Sequence, residues 1–369
     1  MSSMSGGRVK SIAIVARLGG DGSARPGRAR GAPGGRRGRH PLVGHRQNAS
    51  GRGHRGALSG VRPGSVPGVR ALRPLRGFSR MNKAEVVVDG VRFGEGPVWC
   101  PDGTLVVTSV CDGVLWRVFV ESGTKELVAD VGGGANAAAL CADGGFVVTQ
   151  NGGLDFSKFP IWGSSTPPEP RYATPGLQRV APDGSVSYLA DAGFHAPNDL
   201  AVGPDGDVYF TDPGHYPPPD PPIGRVMVLR ADGAVDEFAR DFWFCNGIAF
   251  EPDGSVVVVE RTGLQRVHAD GSREWVIEKL GPGGSDGFCL DSDGRYYACA
   301  TIEHGVRVVD VDGSIVDFLE IPGNGVTTNC CFGGADGRTL FATDAIPGHV
   351  VAWEAMPRPG LPLRAWPTA

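Results

Sequence analysis

Six side chains that carry an amide or carboxylate oxygen recur at one fixed position, seven residues before a repeated x-Asp-Gly turn. They are Glu95, Asn136, Asn198, Asn246, Asp286 and Asn329. A constant offset places each of them at the same point of a repeated unit, so we expect them to converge on a shared axis. A hard divalent cation prefers oxygen ligands of this kind and would neutralise the two carboxylates. The six include no His or Cys, so a thiolate–imidazole site is not indicated.

The same residue types also form turns, which gives a structural alternative. Asn and Asp bond their own backbone in tight turns, and this would account tolerably for the four Asn. It leaves Glu95 unexplained, because Glu is a poor turn residue at the same offset. A metal-binding ring accounts for all six positions.

A second polar set is predicted where the next strand returns to the same rim. Its members are Ser109, Gln150, Asn151, Asp212 and Glu260. Carboxylates beside a metal orient water or substrate, so Asp212 and Glu260 are the stronger pocket candidates. The alternative is a polar strand end without a function.

Short strands joined by tight turns must position these residues. Asp-Gly between alternating strands predicts a hairpin, because tight hairpin turns need positive φ. One set of turns recurs at intervals of 41, 62, 48, 40 and 43 residues, the longest containing a Pro-rich insertion at residues 156–176. A second set falls between them. The first set is Asp102, Asp143, Asp205, Asp253, Asp293 and Asp336, and the second is Asp183, Asp232, Asp270 and Asp312.

Two hairpins per repeat of about 40 to 45 residues predict a four-stranded propeller blade. Six turns in the first set predict an all-β, six-bladed β-propeller over residues 81–369. Residues 85–91 precede the first blade and are expected to pair with the last one, which would close the ring and remove a sheet edge. A tandem of sandwiches is the competing architecture, but it does not require regular hairpins.

Residues 1–80 differ sharply in composition from the remainder. They carry 17 Lys and Arg and one acid, Asp21, whereas residues 81–369 carry 19 basic and 39 acidic residues. A segment so basic and so rich in Gly and Pro cannot bury enough surface to offset its ordering entropy. Nucleic-acid binding and targeting are alternatives, but Phe78 is its single aromatic residue. We expect a disordered or non-native extension and no nucleic-acid binding by the propeller.

The eight cysteines lie in apolar, strand-like runs and form no CxxC pair. Cys in such runs behaves as a small hydrophobic residue. Reduced thiols, a cytoplasmic location and no membrane association are therefore expected, since no apolar run approaches the ~20 residues of a membrane span.

Several motifs resemble the senescence-marker-protein/gluconolactonase family, which includes regucalcin-like lactonases. They are GEGPVW at Glu95, PNDLAVGPDGDVYFTDP at Asn198, CNGIAFEPDG at Asn246, SDGFCLDSDG at Asp286 and CCFGGADGRTLF after Asn329. Each is weak alone, but the order and intervals are specific over residues 93–353. The resemblance implies a six-bladed propeller holding one divalent ion, with calcium, zinc, magnesium or manganese all open.

By position, the resemblance implies the metal ligands Glu95, Asn246 and Asp286, with Asn198 as a fourth ligand or substrate contact. It also implies that Asp286 is the catalytic carboxylate. Ala196 stands where animal relatives place an Arg that grips sugar-acid oxygens, and the TDP after the strand looks like bacterial gluconolactonase-type members. The predicted substrate contacts are Asn198, Asp199, Asn136, Asn151, Asp212 and Asn329.

These features together predict a metal-dependent hydrolase that opens a small sugar lactone. Metal polarisation of the carbonyl and water attack assisted by Asp286 form the expected mechanism. Two alternatives stay open. One is phosphotriester or fluorophosphate hydrolysis on the same metal, and the other is a non-enzymatic calcium- or ligand-binding propeller. The oligomeric state does not follow from the sequence.

Overall fold

The computed structural model describes residues 83–159, 161–162, 166–214 and 217–367. These contain 24 β-strands in six antiparallel four-stranded sheets, one turn of 3₁₀ helix at Phe156–Lys158 and no α-helix. The predicted all-β propeller with six four-stranded blades is confirmed. The predicted extension over residues 1–80 lies outside the described residues. Within the described ranges, no helix has the length and apolar character needed to cross a membrane.

Each blade runs from an innermost strand outward, and the first three blades are consecutive in sequence. Blade one is β2 (Gly94–Trp99), β3 (Leu105–Ser109), β4 (Val114–Phe119) and β5 (Thr124–Asp130). Blade two is β6 (Ala135–Leu140), β7 (Phe146–Gln150), β8 (Gly176–Val180) and β9 (Val186–Ala190). Blade three is β10 (Leu200–Val202), β11 (Val208–Asp212), β12 (Gly224–Leu229) and β13 (Val235–Phe242).

The last three blades follow the same plan, except that the final strand comes from the other end of the described chain. Blade four is β14 (Cys245–Phe250), β15 (Val256–Glu260), β16 (Gly263–Val267) and β17 (Arg273–Ile277). Blade five is β18 (Phe288–Leu290), β19 (Tyr296–Ala300), β20 (Gly305–Val309) and β21 (Ile315–Glu320). Blade six is β22 (Val326–Gly333), β23 (Thr339–Ile346), β24 (His349–Trp353) and β1 (Glu85–Val88).

The ring is closed by the strand that the sequence assigned to this role. β1 pairs with β24 in an antiparallel register, with Glu85 opposite Ala352. The six innermost strands contact one another in cyclic order, and β22 contacts β2. The predicted closure is confirmed, and it leaves no open edge between the last blade and the first.

The core consists of one hydrophobic cluster between each pair of adjacent blades. Between blades one and two, for example, Val98, Val106 and Leu115 face Phe146 and Val148. The other five interfaces carry equivalent clusters. A blade is therefore covered on both faces, which is why its second strand is apolar at successive positions instead of alternating. β15, with the sequence VVVVE, is buried throughout.

The predicted turns lie where the sequence placed them. The first set joins each innermost strand to the second strand of its blade, and the second set joins the third strand to the fourth. Antiparallel pairing then puts the starts of the six innermost strands at one end of the channel and their turns at the other. We call the first the ring end and the second the turn end.

Candidate functional site

All six predicted ring residues lie at the ring end, at or just before the start of an innermost strand. Glu95, Asn136 and Asn246 are each the second residue of their strand, and Asn329 lies inside β22. Asn198 and Asp286 come two residues before β10 and β18. Their backbone still pairs with the second strand, since Asn198 N donates to Thr211 O at 2.8 Å. The constant offset therefore corresponds to one structural position.

A local irregularity at this position recurs from blade to blade. The register between the innermost and second strands shifts between Glu95 and Val98, and the same shift occurs in three other blades. Such a bulge inserts an extra residue and re-aims the side chains beside it, and bulges are common next to active sites. In these four blades the ring side chain lies beside a bulge, whereas the blades of Asn198 and Asp286 have no such shift.

Glycines after three of the ring residues let neighbouring blades approach closely. A Cβ on Gly247 would lie 2.7 Å from Asp286 O and 3.0 Å from Gly287 Cα. A Cβ on Gly287 would overlap the Asn329 amide, and one on Gly96 would overlap the backbone of Asn136 and Ala137. Convergence at the channel requires glycine here because neighbouring backbone, or the Asn329 amide at Gly287, occupies the space of a side chain.

Threonine hydroxyls tie the ring residues of one blade to the next. Thr108 Oγ1 donates to Asn136 O at 2.5 Å, and Thr211 Oγ1 donates to Asn246 O at 2.8 Å. Thr149 Oγ1 likewise donates to Asn198 O, and Thr328 Oγ1 donates to Gly94 O at 2.7 Å. This threonine belt fixes the backbone that carries the ring.

Three carboxylates and two amides form the centre of the site. Asn329 Nδ2 donates to Asp199 Oδ1 at 2.8 Å and also bonds the Glu95 carboxylate. The Asn246 amide bonds Asp286. Glu95 and Asp199 are 4% and 5% exposed, so these charges lie largely outside water. Asp199, next to Asn198, therefore belongs to the same cluster as Glu95 and Asp286.

Burial raises the pKa of all three carboxyl groups, and neighbouring carboxylates raise the pKa of Glu95 and Asp286 further. Burial raises the pKa of Glu95, and the charges of Asp286 and Asp199 raise it further. Burial and the Asp199 charge raise the pKa of Asp286 to about 8, and burial raises the pKa of Asp199 to about 7. Hydrogen bonds from Asn329 and Asn246 oppose these shifts without reversing them. Perturbation of this kind concentrates at functional sites.

Two ring amides present buried oxygen atoms without a hydrogen-bond donor. They are Asn136 Oδ1 and Asn246 Oδ1. An unsatisfied buried acceptor is unfavourable by about 1–3 kcal/mol, so each such atom in a folded protein calls for a partner. The turn interpretation fails for these two, because a turn-forming Asn would bond its own backbone. It holds in part for Asn329, whose Oδ1 accepts Cys330 N at 2.9 Å.

The strand-end residues hold the loops that lead into the ring. Asp212 is 0% exposed, accepts His195 N at 3.0 Å and Ala196 N at 2.7 Å, and pairs with Arg225. Glu260 accepts Trp243 N at 2.9 Å and Phe244 N at 3.2 Å. Contact between substrate and Asp212 would require its bonds to open.

Gln150 and Asn151 play a similar role in blade two. Gln150 Oε1 accepts Gly134 N at 2.6 Å, just before Asn136. Asn151 is buried beside Gly134, and its Oδ1 accepts Gly153 N at 2.9 Å.

Asn198 is half-buried, as is Asp286. The structure therefore brings together Glu95, Asp199, Asn246, Asp286 and Asn329, and leaves Asn151 and Asp212 in supporting positions.

A cavity of about 160 Å³ extends along the channel away from the ring. Asp199 and Asn329 line one part of it, and Ile248, Phe288 and Phe332 give it an apolar wall. The chain after blade six crosses the turn end. Leu361 N donates to Leu290 O at 3.0 Å, and Trp366 N donates to Leu140 O at 2.8 Å. This segment, residues 356–366, also contributes Leu361 to the cavity lining.

The sequence did not predict the threonine belt or a group of three thiols between blades five and six. A signal for the belt exists, because Thr108, Thr149 and Thr211 each lie six residues after a first-set turn. The thiols are Cys289, Cys299 and Cys330, which were expected to act only as small apolar residues. Their grouping across blades five and six has no signal in one-dimensional spacing.

Comparison with known proteins adds the family. The family model for the SMP-30/Gluconolactonase/LRE-like region matches residues 93–346. A gluconolactonase from Zymomonas mobilis is 22% identical over 308 residues, covering 70% of this chain and 77% of its own. A pentonolactonase from Haloferax volcanii is 25% identical over 279 residues, covering 72% and 86%.

A solved structure of a protein described as a gluconolactonase has a similar fold. The gluconolactonase of Xanthomonas campestris superposes with a TM-score of 0.59 at 25% identity, covering 73% of this chain and 89% of its own. The matched region spans the motifs at Glu95, Asn198, Asn246, Asp286 and Asn329. The chain belongs to the SMP-30/gluconolactonase/LRE-like family.

Proposed function

We propose that this protein is a divalent-metal-dependent hydrolase that opens a sugar lactone. The observation that carries the proposal is the buried cluster of Glu95, Asp199 and Asp286, together with two buried ring amide oxygens that lack donors. The gluconolactonase and pentonolactonase names of its relatives support the substrate class. The missing Arg at Ala196 leaves the choice among sugar lactones open.

The residues present fit a hard cation. Among the described residues, no three His, Cys, Asp or Glu side chains alone form a metal-binding group. Amide oxygens must therefore complete the ligand set, and Asn246 Oδ1 is buried and free to do so. We assign Glu95, Asn246 and Asp286 as ligands, with Asn198 as a fourth ligand or a substrate contact. Calcium, zinc, magnesium and manganese all accept some or all of these donors.

When bound, a divalent ion supplies Lewis-acid polarisation of a carbonyl oxygen. Asp286 takes the proton from the attacking water and returns it to the leaving alkoxide of the opening ring. A positioned carboxylate contributes about 10²–10⁴-fold in such steps. Asn329 Nδ2 holds the Asp199 carboxylate through the 2.8 Å hydrogen bond. Asp199 also lines the channel cavity. Asp212 positions Asn198 by holding the backbone of His195 and Ala196.

The experiment pairs a substrate screen with metal analysis. Chelated protein reconstituted with each of the four ions is offered a panel of sugar lactones, and acid release is followed with a pH indicator. We expect turnover with at least one lactone and one bound ion per chain. Residues that only orient metal ligands typically change affinity about 10–100-fold, so Asn246→Ala and Glu95→Gln should weaken binding at least that much.

Asn151→Ala is the matched control for Asn246→Ala, because Asn151 is a buried amide at the same end whose oxygen is already bonded. It should bind metal normally. Normal metal content in Asn246→Ala and Glu95→Gln would refute the ligand assignment. Tight metal binding without turnover of any lactone would favour the non-enzymatic binding propeller.

A further inference from the structure

Three thiols meet in the wall of the channel between blades five and six. Cys289 lies on β18, Cys299 on β19 and Cys330 on β22. Cys289 Sγ is 3.5 Å from Cys330 Sγ, and the Cys299 thiol also contacts Cys330. Neither the proposed mechanism nor blade packing requires three thiols to meet here, since any small apolar residue would fill the space.

The pair that bridges the two blades borders the channel cavity. Cys289 and Cys330 both line it, and Cys289 is half-buried. Cys299 is 0% exposed and is not part of the cavity lining. A cavity of about 160 Å³ admits several molecules the size of water, whose share of liquid volume is about 30 Å³. A small oxidant that enters the channel therefore meets Cys289 and Cys330 first.

Reaction requires a thiolate, which is the nucleophile in thiol oxidation. Burial opposes ionisation of Cys330, whereas the Cys289 and Cys299 thiols lower its pKa. The Cys330 thiol also donates to Tyr297 O at 3.2 Å, a contact that favours its protonated form. The 3.5 Å contact identifies the reacting pair but not the order of attack, so either sulfur of Cys289 and Cys330 attacks and the other resolves the product.

We propose that Cys289 and Cys330 form an oxidisable dithiol that reacts with a peroxide to give a disulfide between β18 and β22. The thiolate of one of the two residues attacks a peroxide oxygen and becomes a sulfenic acid, while the other oxygen leaves as water after taking up a proton. The second sulfur then displaces the sulfenic oxygen as a second water. Both thiols lose a proton, and two electrons pass to the peroxide.

The disulfide would act directly on the ring. Bond formation draws the two sulfur atoms from 3.5 Å to about 2.05 Å. Cys330 N donates to Asn329 Oδ1, and Asn329 Nδ2 holds Asp199. The Asn329 amide also lies against Gly287, next to Asp286. Movement of Cys330 therefore displaces Asn329 and with it the carboxylate cluster.

The test maps disulfides in the full chain after exposure to hydrogen peroxide. Remaining thiols are alkylated, the protein is digested with trypsin, and peptides are analysed without reduction. Arg295 and Arg307 place Cys289, Cys299 and Cys330 on three different tryptic peptides, and fragmentation of the third distinguishes Cys330 from Cys331, which shares that peptide. We expect a Cys289–Cys330 link that dithiothreitol removes. A predominant link to Cys299, links scattered over the eight cysteines, or no link would each overturn the proposal.

A second arm measures activity and rests on the proposed function, whereas the peptide map does not. Misplacement by about 1 Å typically reduces turnover about 10²-fold, so oxidised wild type should lose that much and recover on reduction. Cys289→Ser lacks the second thiol, so it should form no disulfide and should not show the loss that reduction reverses. Cys141→Ser, which removes a buried thiol elsewhere, should remain as sensitive as wild type. A mapped disulfide without loss of turnover would overturn the coupling to the ring.

Discussion

The two ends of the channel use the same residue types in opposite ways. At the turn end, Asp102, Asp143 and Asp253 each accept a backbone N–H two residues onward, at 3.0, 3.0 and 2.9 Å. These bonds contribute to the lowered pKa of their carboxyl groups. At the ring end, burial and neighbouring charge raise the pKa of Asp286 and Asp199. A carboxylate that forms a turn is stabilised by its own backbone, whereas burial destabilises the charged form of the ring carboxyl groups.

The glycines at the two ends of the channel also have different roles. Gly103 at the turn end has a φ of +83° and nothing within 4 Å of an added Cβ, so its role is conformational. Gly287 at the ring end has no such φ and lies against the Asn329 amide, so its role is to make room. Substitution should therefore have different consequences at the two ends.

The largest structural effect is expected at Gly287. Gly287→Ala should lower the free energy of unfolding by about 1–3 kcal/mol, as overpacking does, and should also lose lactone turnover. Gly103→Ala should destabilise by about 1–2 kcal/mol from the left-handed backbone and keep its turnover. Asn tolerates this conformation, so Gly103→Asn should recover stability while Gly287→Asn should not. Urea unfolding and kinetics check both, and equal rescue by Asn at the two sites would remove the distinction.

An effect of the opposite sign is expected at Asp286 in metal-free protein. Burial and the Asp199 charge raise its folded-state pKa to about 8, well above that of an unfolded chain, so its contribution to stability is fully present below the unfolded-state pKa and is lost as pH rises through 8. Asp286→Asn should therefore stabilise the chelated protein more at pH 8 than at pH 5.

Urea unfolding in the presence of a chelator measures this difference. Asp253→Asn is the control, because the hydrogen bond from Ser255 N lowers the pKa of Asp253, and its substitution should not stabilise at pH 8. An Asp286→Asn protein that is less stable than wild type at pH 8 without metal would contradict the charge cluster.

The smallest effect is expected from removing residues 1–80. All 24 strands and every ring residue lie between Glu85 and Trp353. The truncated protein should keep the unfolding midpoint and the turnover of the full chain. Aggregation or loss of turnover would show that the basic segment takes part in the working protein.

The repeat and the ring could be predicted because both are encoded in local spacing. Asp-Gly turns mark the hairpins, and a constant offset identified Glu95, Asn246 and Asp286 as equivalent positions. Pairing of residues 85–88 with β24 could also be predicted, since a propeller must close. Each of these features depends on residues close together in sequence or on a rule of topology.

Other features could not be predicted because they depend on contacts between blades. The substrate contact predicted for Asp212 stays a prediction, but its 0% exposure and its bond to the loop before Asn198 had no signal in the sequence. The crossing of residues 356–366 over the turn end and the meeting of Cys289 with Cys330 join segments that are far apart in sequence. Polar residues at strand ends can be recognised in the sequence, but the sequence does not show which of their side chains point into the channel.

The most direct test of the ring as a catalytic site makes one substitution at both ends of the channel. The turnover number is measured at saturating metal for Asp286→Asn and for Asp253→Asn. Asn forms turns as well as Asp does, so Asp253→Asn should match wild type. An amide cannot carry a proton, so Asp286→Asn should lose about 10²–10⁴-fold. A turnover number for Asp286→Asn within about tenfold of wild type, below that usual loss, would contradict the catalytic role assigned to Asp286.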